Sequence, residues 1–246
     1  RVGLLCRASA VGLVPVRGLH VLDRYGYLAG TDEDRAADVN AMFSDRAIAG
    51  ILAVRGGWCC ARILPMLDYA DIGLSPKVLV GYSDITALLL AVTAKTGLVT
   101  FHGPDGISTW NAFSVGYFRR VLMQGEAVTM ENPSGKGDNL AQTRDRVLTV
   151  RGGKARGRLA GGNLSVLAAL CGSPYLPRWD GAILFLEDTD EDIYRVDRML
   201  TTLRLAGVLE GLRADVFGKC TKCGPGEGYG SLTFDEVLRD HLLPLG

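Results

Sequence analysis

The stretch that most constrains the fold is residues 77–91, because the spacing of its apolar side chains changes within a few positions. Residues 78–80 form a short apolar run after a proline, which is typical of a buried parallel strand. From residue 85 onward, apolar residues recur at helical spacing. The change of period predicts a tight strand-to-helix turn that contains Ser83, and it indicates an α/β fold.

Ser83 is a candidate nucleophile because of this position. The first N–H groups of a helix are unpaired and carry partial positive charge, so a serine beside them can attack a carbonyl whose oxyanion the amides stabilise. Two observations leave the alternative open. Ser83 and Asp84 are also ordinary helix N-cap residues, and Ile85 stands where a G-x-S-x-G elbow would have its second glycine.

Composition excludes several classes of protein. The chain has 246 residues with 27 basic and 27 acidic side chains, which gives no sign of a nucleic-acid or anionic-membrane partner. It contains no run of about 18 apolar residues. Neither H-x-x-E nor H-E-x-x-H occurs, so a metallopeptidase site is not indicated. Six cysteines in a chain of this length fit a reducing compartment, and the C-x-x-C at Cys220 and Cys223 lacks the further ligands of a zinc site.

A second strand-turn-helix unit precedes the first. Residues 50–54 predict a parallel strand, residues 61–67 predict a helix, and the glycine loop (residues 55–58, Arg-Gly-Gly-Trp) joins them. This geometry can bind an anion through backbone N–H groups, so a phosphate- or nucleotide-binding domain is one alternative. The G-x-G-x-x-G of dinucleotide-binding folds is absent. Gly57 is also explained as a plain turn glycine.

The second half of the chain predicts another α/β unit. Residues 131–146 are polar and rich in Gly and Pro, as in an interdomain linker, and short strands are predicted at 147–150 and 155–159. A buried strand at 183–186 ends at Glu187, where ligand sites of α/β sheets occur. Asp188 is adjacent and points to the other face, so only one of the two carboxylates can serve a site.

Four separated segments resemble the LD-carboxypeptidase family of serine peptidases, whose relatives include microcin-immunity peptidases. They are residues 81–87 (GYSDITA), 97–104 (GLVTFHGP), 27–43 (YLAGTDEDRAADVNAMF) and 161–170 (GGNLSVLAAL). The resemblance implies an N-terminal parallel-sheet domain of flavodoxin or Rossmann type and a smaller C-terminal α/β domain. We expect the first at residues 1–130, a linker at 131–146 and the second at 147–246, with the active site between the domains.

The same resemblance implies roles for individual residues. Ser83 is the expected nucleophile, and Glu187 is expected to orient a catalytic histidine. The backbone N–H groups of Gly57 and Asp84 are expected to form the oxyanion hole. No metal or cofactor is implied, a homodimer is expected, and the cysteine content favours a cytoplasmic location.

The catalytic histidine is where the sequence departs from the family pattern. In the family it follows one further strand after the last helix, whereas this sequence stops at residue 246, soon after His241. We therefore expect the base to lie in a tail that the sequence does not contain, and a second gap near residues 8–18. His102 follows a predicted strand and is the candidate substitute, while His241 is expected at the surface near a helix end.

These expectations define a function and its competitors. The favoured activity is removal of the terminal D-Ala from a murein tetrapeptide in cell-wall recycling, through a Ser-His-Glu triad. One alternative is a microcin-immunity type of peptidase, for which Trp58 is the candidate stacking residue for a nucleobase. The other is a muropeptide-binding protein without catalysis.

Overall fold

The computed structural model describes residues 11–132, 146–227 and 230–245. Residues 2–5 of the sequence predict a further strand, and this segment and nearly all of the expected linker lie outside the described residues. Within the described ranges, no helix combines the length and the apolar composition that a membrane span requires.

The first half of the chain forms a parallel sheet with helices around it. Its strands are β1 (Gly50–Leu52), β2 (Val78–Gly81) and β3 (Phe101–His102), in the order β1-β2-β3. Its helices are α1 (Asp32–Ser44), α2 (Tyr69–Leu74), α3 (Thr86–Thr96) and α4 (Ala112–Phe118), with 3₁₀ turns at Cys60–Met66 and Ser83–Ile85 and a π turn at Arg119–Met123.

The start of α1 follows directly from its sequence. Thr31 caps the helix by accepting a hydrogen bond from the backbone N–H of Asp34, and the Asp34 carboxylate bonds back to Thr31. Three acidic residues occupy the first turn, where they complement the partial positive charge of the helix N-terminus. A threonine followed by acidic residues predicts a helix cap at Thr31 and another at Thr233, and both predictions are confirmed.

The second half repeats the arrangement. Strands β4 (Arg158–Asn163), β5 (Ala182–Thr189) and β6 (Ala214–Thr221) form a second parallel sheet in the order β4-β5-β6. Its helices are α5 (Leu164–Ala169), α6 (Ile193–Leu205) and α7 (Phe234–Leu242). The expected α/β fold with parallel sheets is therefore confirmed.

Two strand predictions in this half were wrong. Residues 147–150 form no strand; Val147 and Leu148 are exposed there. The strand predicted at 155–159 instead runs over Arg158–Asn163, so Gly161 and Gly162 are strand residues and not a loop. The reason is close pairing with β5: a Cβ on Gly161 would lie 1.8 Å from the carbonyl oxygen of Phe185.

Helix α3 connects the two sheets. Every residue from Thr86 to Val92 is buried, and the helix packs against β2 of the first sheet and β4 of the second. The helical spacing of its large apolar residues was correctly predicted, but the burial of all its faces comes from this central position. One hydrophobic core includes α3 and residues of both halves.

The expectation that His241 lies at the surface was wrong, and the C-x-x-C motif has a partner relationship that the sequence did not predict. His241 is buried, not at the surface: its Nε2 lies 2.6 Å from Asp197 Oδ1 because α7 packs that side of its last turn against α6. Cys220 and Cys223 form a disulfide across the turn after β6. Among the described residues, the remaining cysteines are free.

Candidate active site

Ser83 lies on a strained turn between β2 and α3. Its φ is +60°, in the left-handed region that non-glycine residues rarely adopt and that costs about 1–3 kcal/mol. The side chain makes no cap bond: the residues that precede the 3₁₀ turn and α3 are Tyr82 and Ile85, and neither position has a side-chain cap. The ordinary N-cap interpretation of Ser83 is therefore wrong, and a turn of this kind holds a side chain outward from the end of a strand.

The glycine loop packs directly against this turn. A Cβ on Gly56 would lie 2.9 Å from Ser83 Cβ and 3.0 Å from Ser83 Oγ, so only glycine allows the approach. A Cβ on Gly57 would lie 3.5 Å from Asp84 Oδ2, an ordinary contact. The structure thus brings Gly57 beside Asp84 and Gly56 beside Ser83, and sequence reasoning missed Gly56 as the tighter of the two positions.

Buried carboxylates hold the glycine loop at both ends. Asp84 Oδ2 accepts a hydrogen bond of 2.9 Å from the N–H of Cys60, after the loop. Asp105 Oδ2 accepts one of 3.2 Å from the N–H of Gly56. Burial raises the pKa of the Asp84 carboxyl, an effect that the N–H donors of Cys60 and Cys59 only partly offset. The Asp84 bond links the segment after the loop to the serine turn, and the Asp105 bond holds Gly56 to the segment after β3.

Glu187 lies at a bulge in the second sheet. Leu186 pairs with Phe217 and Asp188 pairs with Cys220, so two residues of β6 lie opposite Glu187 alone. The extra residue belongs to β6, so the bulge bends β6 opposite Glu187, while Glu187 itself stays in register with Asn163 of β4. Burial, followed by the charge of Asp188, raises the pKa of Glu187.

Asp188 has a different environment from its neighbour. Its carboxylate accepts bonds from Asn163 Nδ2 at 3.0 Å, from Ser165 N at 2.9 Å and from Ser165 Oγ at 2.7 Å. Because these groups donate to it, the Asp188 carboxylate links β5 to the start of α5. Oε1 of Glu187, by contrast, is buried and has no hydrogen-bond partner among the described residues. Of the two carboxylates, Glu187 is the one available for a site.

His102 joins the two sheets at this place. It pairs in register with Gly81 of β2, two residues before Ser83, and its Nε2 lies 3.7 Å from Glu187 Oε1. Its ring lies 5.3 Å from that of Phe185, measured between centroids. Burial lowers the pKa of His102 to about 4. Among the described residues, no hydrogen bond links either ring nitrogen to Ser83.

A second contact joins the two halves of the chain near the serine turn. The backbone N–H of Asn163 donates to Thr86 Oγ1 at 3.0 Å, and a Cβ on Gly162 would lie 2.6 Å from the same oxygen. The end of β4 is therefore held against the first residue of α3. Sequence reasoning did not assign Thr86, and the Gly-Gly-Asn before an apolar helix was the signal for this close approach.

One group of side chains in the described part of the chain is close enough together to hold a metal ion. Within the described ranges, one group has ligand atoms within 4.8 Å of one another: His20, Asp23 and Asp34. His20 Nδ1 already lies 2.8 Å from Asp23 Oδ2, and Asp34 caps α1. These side chains therefore have structural partners, and the group is separate from the residues that surround Ser83.

Comparison with known proteins accounts for this arrangement. Residues 4–103 match the model of the LD-carboxypeptidase N-terminal domain, and residues 156–246 match that of the C-terminal domain. A probable murein peptide carboxypeptidase of Bacillus subtilis is 34% identical over 241 residues, which cover 96% of this chain and 72% of the relative. The chain belongs to the LD-carboxypeptidase family. It is thereby a serine-type carboxypeptidase, a hydrolase.

Solved structures of the family have the same fold. The crystal structure of a muramoyltetrapeptide carboxypeptidase from Oxalobacter formigenes is 29% identical with a TM-score of 0.78, and the match covers 98% of this chain and 79% of that one. The microcin C7 self-immunity protein MccF in its apo state is 28% identical with a TM-score of 0.78, covering 97% and 79%. The likeness therefore extends to both branches that the sequence motifs suggested.

Proposed function

We propose that this LD-carboxypeptidase removes the terminal D-Ala from a murein tetrapeptide, with Ser83 as the nucleophile. The observation that carries the proposal is the strained turn of Ser83 packed against Gly56. This serine lies two residues after Gly81, the β2 partner of His102, whose Nε2 lies 3.7 Å from Glu187 Oε1. A rigid turn holds the hydroxyl in place, so substrate binding does not have to order it.

In the proposed reaction, Ser83 Oγ attacks the carbonyl of the bond between the L-centre of the diamino acid and D-Ala. The N–H groups of Gly57 and Asp84 stabilise the tetrahedral oxyanion. A histidine takes the serine proton and returns it to the amine of D-Ala as the carbon–nitrogen bond breaks. Water then hydrolyses the acyl-enzyme, and Glu187 orients the histidine and stabilises its charged form.

The mechanism needs a histidine to accept the proton of Ser83, and each of the three histidines has another partner. His20 pairs with Asp23, His241 pairs with Asp197, and His102 lies against Glu187. Within the described residues, none of them hydrogen-bonds Ser83. In the proposal the base is a histidine, and His102 is the candidate substitute that a variant can test.

The decisive experiment measures D-Ala release from a murein tetrapeptide by the full-length protein. Ser83→Ala is expected to lower kcat by at least about 10³-fold, because the covalent step is lost. Ser173→Ala is the matched control, since the Ser173 hydroxyl accepts a long hydrogen bond of 3.4 Å from the N–H of Tyr175. Release by Ser83→Ala at the wild-type rate would overturn the proposal. Binding of the tetrapeptide without turnover by the wild-type protein would instead support the muropeptide-binding alternative.

A second candidate substrate is an acyl-sulfamoyl or peptidyl nucleotide of the microcin type. The observation in its favour is an exposed aromatic group beside the glycine loop: Trp58 makes an edge contact of 6.4 Å with Tyr27 and lies 5.7 Å from the Arg55 guanidinium. Trp58→Ala is expected to weaken nucleotide hydrolysis about 10-fold or more if this group stacks on a base. Equal loss with both substrates would argue against such a role.

The remaining parts of the proposal concern the domain bounds, the cellular location, the biological role and the oligomeric state. We place the domain division at residues 1–130 and 147–246, with a linker between them. The cytoplasmic location, the role in peptidoglycan recycling and the homodimer belong to the same proposal. Light scattering of the purified protein tests the dimer, and fractionation of the producing cells tests the location.

A further inference from the structure

The side chains of His102 and Glu187 approach each other at the junction of the two sheets, and each has a buried polar atom that lacks a hydrogen-bond partner among the described residues. Nδ1 of His102 and Oε1 of Glu187 are both buried, and neither has a hydrogen-bond partner among the described residues. The nearest approach between the two side chains is 3.7 Å, from His102 Nε2 to Glu187 Oε1. Buried polar atoms are nearly always paired, so two neighbouring side chains that each carry an unpaired buried atom require an explanation.

The surroundings of His102 restrict what its ring can do. Aromatic rings lie on two sides, with centroids 5.3 Å away at Phe185 and 6.2 Å away at Tyr82. Burial holds the pKa of His102 at about 4, so the imidazole is neutral near pH 7 and carries one N–H. An orphaned buried N–H is rarer than an under-satisfied acceptor, which favours the proton on Nε2, toward Glu187, and leaves Nδ1 as the acceptor.

Glu187 needs a donor of this kind. Besides His102, the groups against its carboxyl are Asp188, whose charge raises the pKa, and Asn163, whose side-chain hydrogen bond lowers it. Burial is the largest influence and favours the neutral acid. A hydrogen bond from a neutral N–H favours the ionised carboxylate and fixes its orientation without adding charge.

We propose that His102 is a positioning residue for Glu187: its Nε2–H donates to Oε1 and holds the carboxylate ionised and correctly oriented. The inference rests on the proposed function, in which Glu187 orients the general base. A shift of less than 1 Å from the 3.7 Å separation brings the two atoms within hydrogen-bond distance. His102 then acts through Glu187 and does not itself touch the substrate.

The test follows the ionisation of Glu187 by ¹³C NMR of its side-chain carboxyl carbon, which needs no turnover. His102→Phe keeps a ring in the aromatic environment and removes the donor, so the pKa of Glu187 is expected to rise by about one unit. His102→Asn supplies an amide N–H that does not titrate and is expected to restore most of the wild-type value. His20→Asn is the matched control and is expected to change nothing.

Kinetics supply a second readout that a purely structural role would not change. In His102→Phe, the acidic limb of the pH profile of kcat/KM is expected to move to higher pH by the same amount, with KM on the plateau unchanged. His102→Asn is expected to return the limb toward its wild-type position. A uniform loss of kcat/KM at every pH, with the limb unmoved, would overturn the inference.

The wild-type protein gives an outcome that needs no variant. The ¹⁵N shifts of the His102 ring are expected to show the proton on Nε2, and a proton on Nδ1 would overturn the inference even if His102→Phe failed to fold. An unchanged pKa of Glu187 in a folded His102→Phe protein would do the same. The proposed function fails separately, when Ser83→Ala retains D-Ala release, whatever the NMR result.

Discussion

The two halves of the molecule place their candidate site residues at corresponding points by different means. Within the described residues, each half has a three-stranded parallel sheet, and its middle strand carries the residue: β2 ends two residues before Ser83, and β5 contains Glu187 near its end. Ser83 is oriented by the conformation of its own turn, with φ at +60°. Glu187 is held by its register with Asn163 of β4, opposite a bulge in β6. One device is local in sequence, and the other needs a partner strand.

In both halves, the residue directly after the candidate site residue is an aspartate that binds a neighbouring segment. Asp84 and Asp188 are both buried, and each accepts backbone N–H bonds from a neighbouring segment, Asp84 from Cys60 and Asp188 from Ser165. In each pair one residue is left for the site while the next anchors it. The comparison teaches that the acid after each candidate residue is structural, and the following changes test it.

The largest effect is expected at the glycine loop. Gly56→Ala places a Cβ within 2.9 Å of Ser83 Cβ, so the loop or the serine turn must move. A displacement near 1 Å at a nucleophile lowers kcat/KM by about 100-fold. D-Ala release measures it, and Gly116→Ala is the control because nothing lies within 4 Å of that position. Full activity of Gly56→Ala would show that the turn tolerates repositioning.

The next effect is expected where the halves join. Gly162→Ala would put a Cβ 2.6 Å from Thr86 Oγ1 at a φ of +145°, which combines a clash with a strained backbone. We expect the free energy of unfolding to fall by about 3 kcal/mol. Urea unfolding measures the change, and Gly153→Ala, in open space, is the control in the same half. A loss below about 1 kcal/mol would contradict the tight junction.

A smaller loss of stability is expected from the anchoring acid. Asp188→Asn turns an amide group toward donors that the carboxylate accepted, including both bonds from Ser165. We expect a loss of about 2 kcal/mol in the free energy of unfolding. Asp84→Asn is the counterpart in the first half, with fewer donors and a smaller expected loss. A larger loss at Asp84 would reverse the comparison.

The smallest effect is a pH-dependent gain of stability in Glu187→Gln. Because the pKa of Glu187 is raised in the folded protein, the folded state holds its proton more tightly than the unfolded chain. The free energy of unfolding therefore falls as pH rises through the interval between the two pKa values. We expect Glu187→Gln to lack this fall, so its advantage over the wild type grows from acidic to neutral pH. Urea titrations across that range measure it, and a constant difference would contradict the assignment.

The sequence was a good guide where a feature depends on neighbours along the chain. The turn at Ser83, the cap at Thr31 and the strand that leads to Glu187 were all predicted from spacing and side-chain chemistry. The cap role considered for Ser83 and the strand at 147–150 were wrong. The cap role is excluded because the cap positions are Tyr82 and Ile85 and neither has a side-chain cap. The predicted strand lacks a neighbouring strand in the described residues.

What the sequence determined by itself was the set of local units and their family, because hydrophobic period, caps and glycine turns act over a few residues. The tertiary structure alone decided that Gly56 contacts Ser83, that Asp188 is saturated with donors, and that His102 meets Glu187. These contacts join residues 23 to 85 positions apart, and their geometry depends on how two sheets pack around one helix. No spacing along the chain encodes that distance.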